Sequence, residues 1–174
     1  MLSRLKLLGI ALFSAVETAA LAVWLLLQRG AHYNPVAAAV LAVGLTVEHF
    51  ISYNVRNNRP LLQVRDLPFK QIVVVSILET IVWVAWLLAF PYSPLLATII
   101  LAVLLIPVHS IEGNVNHGRS FLYRLLDPKT IVFSIVESVT GGAWLLLAGT
   151  QPVLAIVVLF VGMTLEHIIS VSQE

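Results

Sequence analysis

Residues 14–24 read Ser14-Ala15-Val16-Glu17-Thr18-Ala19-Ala20-Leu21-Ala22-Val23-Trp24, a carboxylate in apolar sequence with a Ser three residues before it and a Trp seven after. The same spacing returns at Ser76/Glu79/Trp86 and at Ser134/Glu137/Trp144. One apolar segment after each instance stands a histidine: His49, His109 and His167. Carboxylates inside membrane-length apolar runs are costly and rare, so a chain that carries them in triplicate is using them.

Around these motifs, apolar runs cover 7–28, 35–54, 69–90, 95–115, 130–148 and 152–171. Each is close to the roughly 20 residues that cross a bilayer as a helix. The 174 residues are 59% hydrophobic and 11% charged, with a mean hydropathy of +0.96. The fold expected is therefore all-α and integral to a membrane, with six transmembrane helices in a single domain over 1–174. Although Arg4 and Lys6 precede the first run, it is longer than a signal-peptide core, holds Glu17 and leads into another apolar segment, so an uncleaved helix is expected. The absence of cysteine excludes disulfides, thiolate metal ligands and a Cys nucleophile.

Alternating helix direction collects Arg4, Lys6, Arg56, Arg59, Arg65, Lys70, Arg119, Arg124 and Lys129 on one side of the membrane and only Arg29 on the other. The positive-inside rule predicts a cell-membrane protein with both termini in the cytoplasm. Topology accounts for the basic residues, and no nucleic-acid surface is expected. The two inner loops, Arg59-Pro60-Leu61-Leu62 to Pro68 and Arg119-Ser120-Phe121-Leu122 to Pro128, mix Arg with Leu and aromatic residues as interfacial segments do.

Read in parallel, the runs form three tandem helical hairpins over 7–57, 69–117 and 129–171, which predicts pseudo-threefold symmetry. The second helices end in Thr46-Val47-Glu48-His49-Phe50-Ile51-Ser52, Ile106-Pro107-Val108-His109-Ser110-Ile111-Glu112 and Thr164-Leu165-Glu166-His167-Ile168-Ile169-Ser170. At about 1.5 Å rise per residue the first-helix glutamates lie roughly 12 to 16 Å from the cytoplasmic surface and the histidines roughly 10 Å, so the two sets share one layer. Repeat two departs from the others: Val108 replaces Glu48 and Glu166, Glu112 replaces Ser52 and Ser170, and Pro107 is a kink site before His109.

Six glutamates facing lipid alone would cost on the order of 15 to 20 kcal/mol, at about 2.5 to 3.5 kcal/mol each. With no Lys or Arg expected at their depth, the compensating charge must be protons, protonated histidine or bound metal. The candidate metal ligands are Glu17, Glu48, His49, Glu79, His109, Glu112, Glu137, Glu166 and His167. Nitrogen and oxygen donors without sulfur suit a divalent ion: Zn or Fe, with Mn also compatible. The plainer alternative is a metal-free layer of hydrogen-bonded Glu, His and Ser that fixes helix packing.

Trp24, Trp86 and Trp144 are expected in an interfacial aromatic belt at the outer ends of their helices. Ser14, Ser76 and Ser134 are expected to hydrogen-bond the Glu three residues on. His32 and His117 fall in loops and are expected to be solvated. Three functions remain: a metalloenzyme, hydrolase or oxidoreductase, acting on a lipid-soluble small molecule from the cytoplasmic leaflet; a cation or proton transporter using the same acidic layer; or a haem- or pigment-binding or structural subunit. Membrane lipid is the expected partner. Helix one is dry beyond Glu17, which favours a site open to the cytoplasmic side only.

Overall fold

The computed structural model describes residues 3–28 and 33–173. It contains six helices: α1 (Arg4–Gln28), α2 (Pro35–Arg56), α3 (Phe69–Ala89), α4 (Pro94–Asn116), α5 (Thr130–Ala148) and α6 (Pro152–Ser172). All six are long and apolar enough to cross a membrane, and no strand occurs among the described residues. The bounds follow the apolar runs closely, except that α1 begins early enough to include Arg4 and Lys6. Arg29 and His32, assigned to the first outer connection, lie outside the described residues.

Local chemistry sets the helix ends. Asn34 caps α2 through its side-chain oxygen, which accepts from Val36 N and Ala37 N, and Pro35 follows at the first helical position. Ser93 and Pro94 repeat the device on α4, where a missing proline N–H costs nothing. α2 and α4 stop alike, with Asn58 (φ 52°) and Gly118 (φ 63°) in left-handed conformation. The turned chain is then tied back: the Asn54 side-chain amide donates to the Leu61 and Gln63 carbonyls, and that of Asn114 to the Phe121 and Arg124 carbonyls.

Each helix packs against its neighbour in sequence, and α6 returns to α1, so the six close into a ring. The inward face of the even-numbered helices is a stripe at every fourth residue: Ala37, Leu41, Leu45 and His49; Ala97, Leu101, Leu105 and His109; Ala155, Leu159, Met163 and His167, all buried. Residues four apart share a helix face, which is why these stripes reach the centre together. On the odd-numbered helices the buried face holds Ser14, Glu17 and Trp24, then Ser76, Glu79 and Trp86, then Ser134, Glu137 and Trp144. Polar side chains are thus inside, while Leu26, Val43, Ile81, Val103, Val139 and Val157 cover the outside. A water-soluble bundle would have the reverse arrangement.

The tryptophans correct the sequence reading. Trp24, Trp86 and Trp144 are 0%, 2% and 2% exposed, so they are core residues and not an interfacial belt. The reason is helical phase: seven residues make nearly two full turns, so each Trp faces the same way as its Glu. Trp83 is also fully buried and crosses the interior towards α5, where a Cβ on Gly141 would lie 2.8 Å from its ring. Trp83 and Trp86 pack edge to face at 5.2 Å. Indole rings therefore fill the interior on the far side of the glutamates.

Candidate metal centre

The carboxylates of Glu17, Glu79 and Glu137 come from α1, α3 and α5 and meet inside the ring, each offering an oxygen within 4.8 Å of the other two. All three side chains are buried. Oxygens held by one ion at about 2.0–2.2 Å lie no more than about 4.4 Å apart, so the trio is close to the span of a single coordination sphere. Glu17 Oε2 and Glu137 Oε1 make no hydrogen bond within the protein.

The histidines join this trio across the junctions between hairpins. His49 Nε2 on α2 lies 3.3 Å from Glu79 Oε2 on α3, His109 Nε2 on α4 lies 2.8 Å from Glu137 Oε2 on α5, and His167 Nε2 on α6 lies 3.5 Å from Glu17 Oε2 on α1. The other ring nitrogen of each histidine meets the serine of the same neighbouring helix: Ser76 at 3.3 Å, Ser134 at 2.8 Å and Ser14 at 2.8 Å. These serines were expected to bond their own Glu. Instead they orient the histidine of the adjoining hairpin, because Ser14 and Ser76 give their own protons to the Ile10 and Ile72 carbonyls and keep an oxygen lone pair for the ring.

That arrangement assigns the tautomer of His49 and His167. A hydroxyl that has given its proton to a carbonyl accepts from Nδ1–H, and for His49 the Leu45 carbonyl at 2.8 Å is an acceptor only. A neutral imidazole with its proton on Nδ1 points the Nε2 lone pair at the carboxylate. Two lone-pair donors facing each other at 3.3–3.5 Å require a cation between or beside them, either a proton or a metal ion.

Glu48 and Glu166 extend the acidic layer. Glu166 Oε2 and Glu48 Oε1 lie 3.1 and 3.9 Å from His167 Nε2, and Glu48 Oε2 lies 3.1 Å from His49 Nδ1. With Val108 at the corresponding position of α4, this extension has no third member. Five buried carboxylates, Glu17, Glu48, Glu79, Glu137 and Glu166, stand beside His49, His109 and His167. Protonating all three imidazoles would still leave two negative charges, the charge of one divalent cation.

Glu112, the ninth candidate ligand, goes elsewhere. Its Oε1 lies 3.7 Å from Arg56 Nη2 and accepts from Asn116 Nδ2 at 3.2 Å. Arg56 also donates to Ser52 Oγ and Ser170 Oγ, each at 3.0 Å, so one guanidinium gathers the corresponding residues of α2, α4 and α6. The expectation that no basic side chain reaches the acidic layer is therefore corrected. Arg56 is the last residue of α2, but its long side chain folds inward, and burying a guanidinium is tolerable where a carboxylate and two hydroxyls receive it. Its signal in the sequence was Glu112 itself, a carboxylate at a position where the other two hairpins carry Ser.

Compared with protein-family models, with curated proteins and with solved structures, the chain matches none.

Proposed function

We propose that this is a membrane metalloprotein, built as three pseudo-threefold hairpins, that holds a divalent ion on Glu17, Glu79 and Glu137 with His49, His109 and His167 behind them. The observation that carries the reading is the convergence of three buried carboxylates, two with oxygens that lack a hydrogen bond, each faced by an imidazole Nε2. An unsatisfied buried acceptor costs about 1–3 kcal/mol, and one divalent ion would satisfy both oxygens at once. Membrane insertion is supported by the apolar exterior and by the basic residues gathered at one end, which the positive-inside rule assigns to the cytoplasm.

Oxygen and nitrogen donors without thiolate suit Zn, Fe or Mn. Bound there, such an ion would supply Lewis-acid activation of water, or, for Fe or Mn, redox chemistry with dioxygen, and Glu48 and Glu166 would stand close enough to the layer to accept a proton from water. The reaction class is metal-dependent chemistry on an amphiphilic or lipid-soluble molecule that arrives from the cytoplasmic side. The interior beyond the glutamates is packed with Trp24, Trp83, Trp86 and Trp144, which supports a dead-end site over a transport path. The haem alternative loses support because every Nε2 is already within 3.5 Å of a Glu oxygen.

Elemental analysis of the purified protein tests the proposal. About one divalent ion per chain is expected, lost in the Glu79→Gln/His109→Ala variant. Absence of stoichiometric metal from the unmutated protein would overturn it.

A further inference from the structure

A cavity of about 310 Å³ opens beside Arg56 at the α4/α5 junction, at the end of the bundle that carries the basic loops, and reaches His109 and Phe133. Side-chain size explains why it lies at this junction. Its wall includes Ser110 and Gly113 of α4, where α2 carries Phe50 and Tyr53 and α6 carries Ile168 and Val171. A Cβ built on Gly113 meets nothing within 4 Å. Hairpin two is thus the one in which the positions beside the histidine are small, and the space reaches the imidazole whose Nε2 touches Glu137.

The charge around the cavity is uneven. Of its two carboxylates, Glu112 pairs with Arg56 and Asp127 with Arg124. Its other cations have neutral partners: Lys129 Nζ donates to the Gln173 carbonyl at 3.2 Å, and the Arg119 guanidinium stacks on the Tyr123 ring. Lys129 and Arg119 therefore leave a positive mouth, and His117 sits on the same rim. Between Arg119 and Asp127 the chain exposes Leu122, Tyr123, Leu125 and Leu126, an apolar lip directly beside a cationic mouth. An anion with an apolar tail satisfies both surfaces, and the volume suits a head group.

We propose that this cavity binds the phosphate head of an amphiphile, with its tail over the 120–126 lip, and so presents that head to the His109 side of the metal layer. The assignment deepens the proposed function by giving its site a substrate class; the binding step itself requires only the cavity and its cations. Corresponding positions carry large side chains in the other hairpins, so the asymmetry of hairpin two is the entrance.

The test measures binding of fluorescent short-chain phosphatidic acid to the full chain in neutral detergent, with short-chain phosphatidylcholine and glycerol 3-phosphate as competitors. Phosphatidic acid is expected to bind at least about ten-fold more tightly than phosphatidylcholine, and Gly113→Tyr and Lys129→Gln each to weaken it about ten-fold, while Gly113→Ala leaves it unchanged. Gly113→Tyr gives α4 the residue α2 carries at Tyr53, in space that is open, and Lys129 is exposed, so loss of folding does not explain either effect. Competition by glycerol 3-phosphate equal to that of the lipid would keep the phosphate site and overturn the lipid source. Equal binding of both lipids, or indifference to both substitutions, would overturn the proposal. Metal content measured on the same samples separates the two ideas: selective binding by a metal-free chain overturns only the metal reading, and a metal-loaded chain without selectivity overturns only this one.

Discussion

His109 reaches from α4 to α5 and places Nε2 2.8 Å from Glu137 Oε2, while its Nδ1 is 2.8 Å from Ser134 Oγ on the same partner helix. One imidazole thus spans two hairpins and has its direction fixed by a hydroxyl one turn from the carboxylate it serves. Groups that orient a metal-binding histidine influence affinity nearly as much as the ligand does.

Ser134→Ala, and likewise Ser14→Ala, removes that hydroxyl without changing the donor set. Affinity for Zn²⁺, measured by competition with a fluorescent chelator, is expected to fall about ten-fold in each, with helix content unchanged. Unchanged affinity would mean that the serines do not orient the rings.

Arg56 and Glu112 are expected to fail singly and recover together. Arg56→Gln leaves the half-buried Glu112 carboxylate without its cation and should cost about 1–3 kcal/mol in detergent unfolding. Adding Glu112→Ser, which gives α4 the residue found at Ser52 and Ser170, should restore most of that loss. A double variant no more stable than Arg56→Gln would show that the pair is not the source of the cost.

Gly162 and Gly113 are predicted to respond in opposite ways. A Cβ on Gly162 runs into the Thr140 side chain, so Gly162→Val should push α5 and α6 apart and destabilise by about 1–3 kcal/mol. Gly113→Ala has open space and should be neutral or gain up to about 1 kcal/mol from helix propensity. Thermal unfolding of the two variants in one detergent checks both.

The buried indoles give a spectroscopic prediction. In bilayers containing brominated lipid, Trp24, Trp83, Trp86 and Trp144 are expected to resist quenching, and Trp144→Ala should cost about 3–5 kcal/mol through the cavity it leaves. Strong quenching would return these residues to the lipid interface.

Much of this arrangement was legible in the sequence because membrane helices advertise themselves by length and hydropathy. The six helices follow from apolar runs, and the common level of Glu17, Glu79 and Glu137 follows from a constant rise per residue. The partner of each histidine did not follow, since spacing along one helix gives a face and a depth but not which neighbouring helix lies opposite. His49 faces Ser76 and Glu79 on the next hairpin, a relation set by ring closure. Arg56 was assigned to a loop because its backbone ends a helix, whereas its guanidinium lies inside. The burial of the tryptophans is already implicit in the spacing of seven from Glu17 to Trp24, which puts both on one face. The α4/α5 cavity was visible only as the pair Ser110 and Gly113, small residues whose meaning depends on what the other two hairpins place there.

Glu17 is made early and His167 late: Ser14 and His167, which touch, are separated by 153 positions in the chain. The first hairpin therefore leaves the ribosome with its acidic residue facing nothing, and its own His49 serves the hairpin that follows. Each newly added pair supplies the missing half of the one before it, and the last supplies the first. The site is completed by α6, the last of these six helices to be synthesised, so a chain truncated before α6 would retain all three carboxylates of the central trio yet lack the junction that holds Glu17 in place.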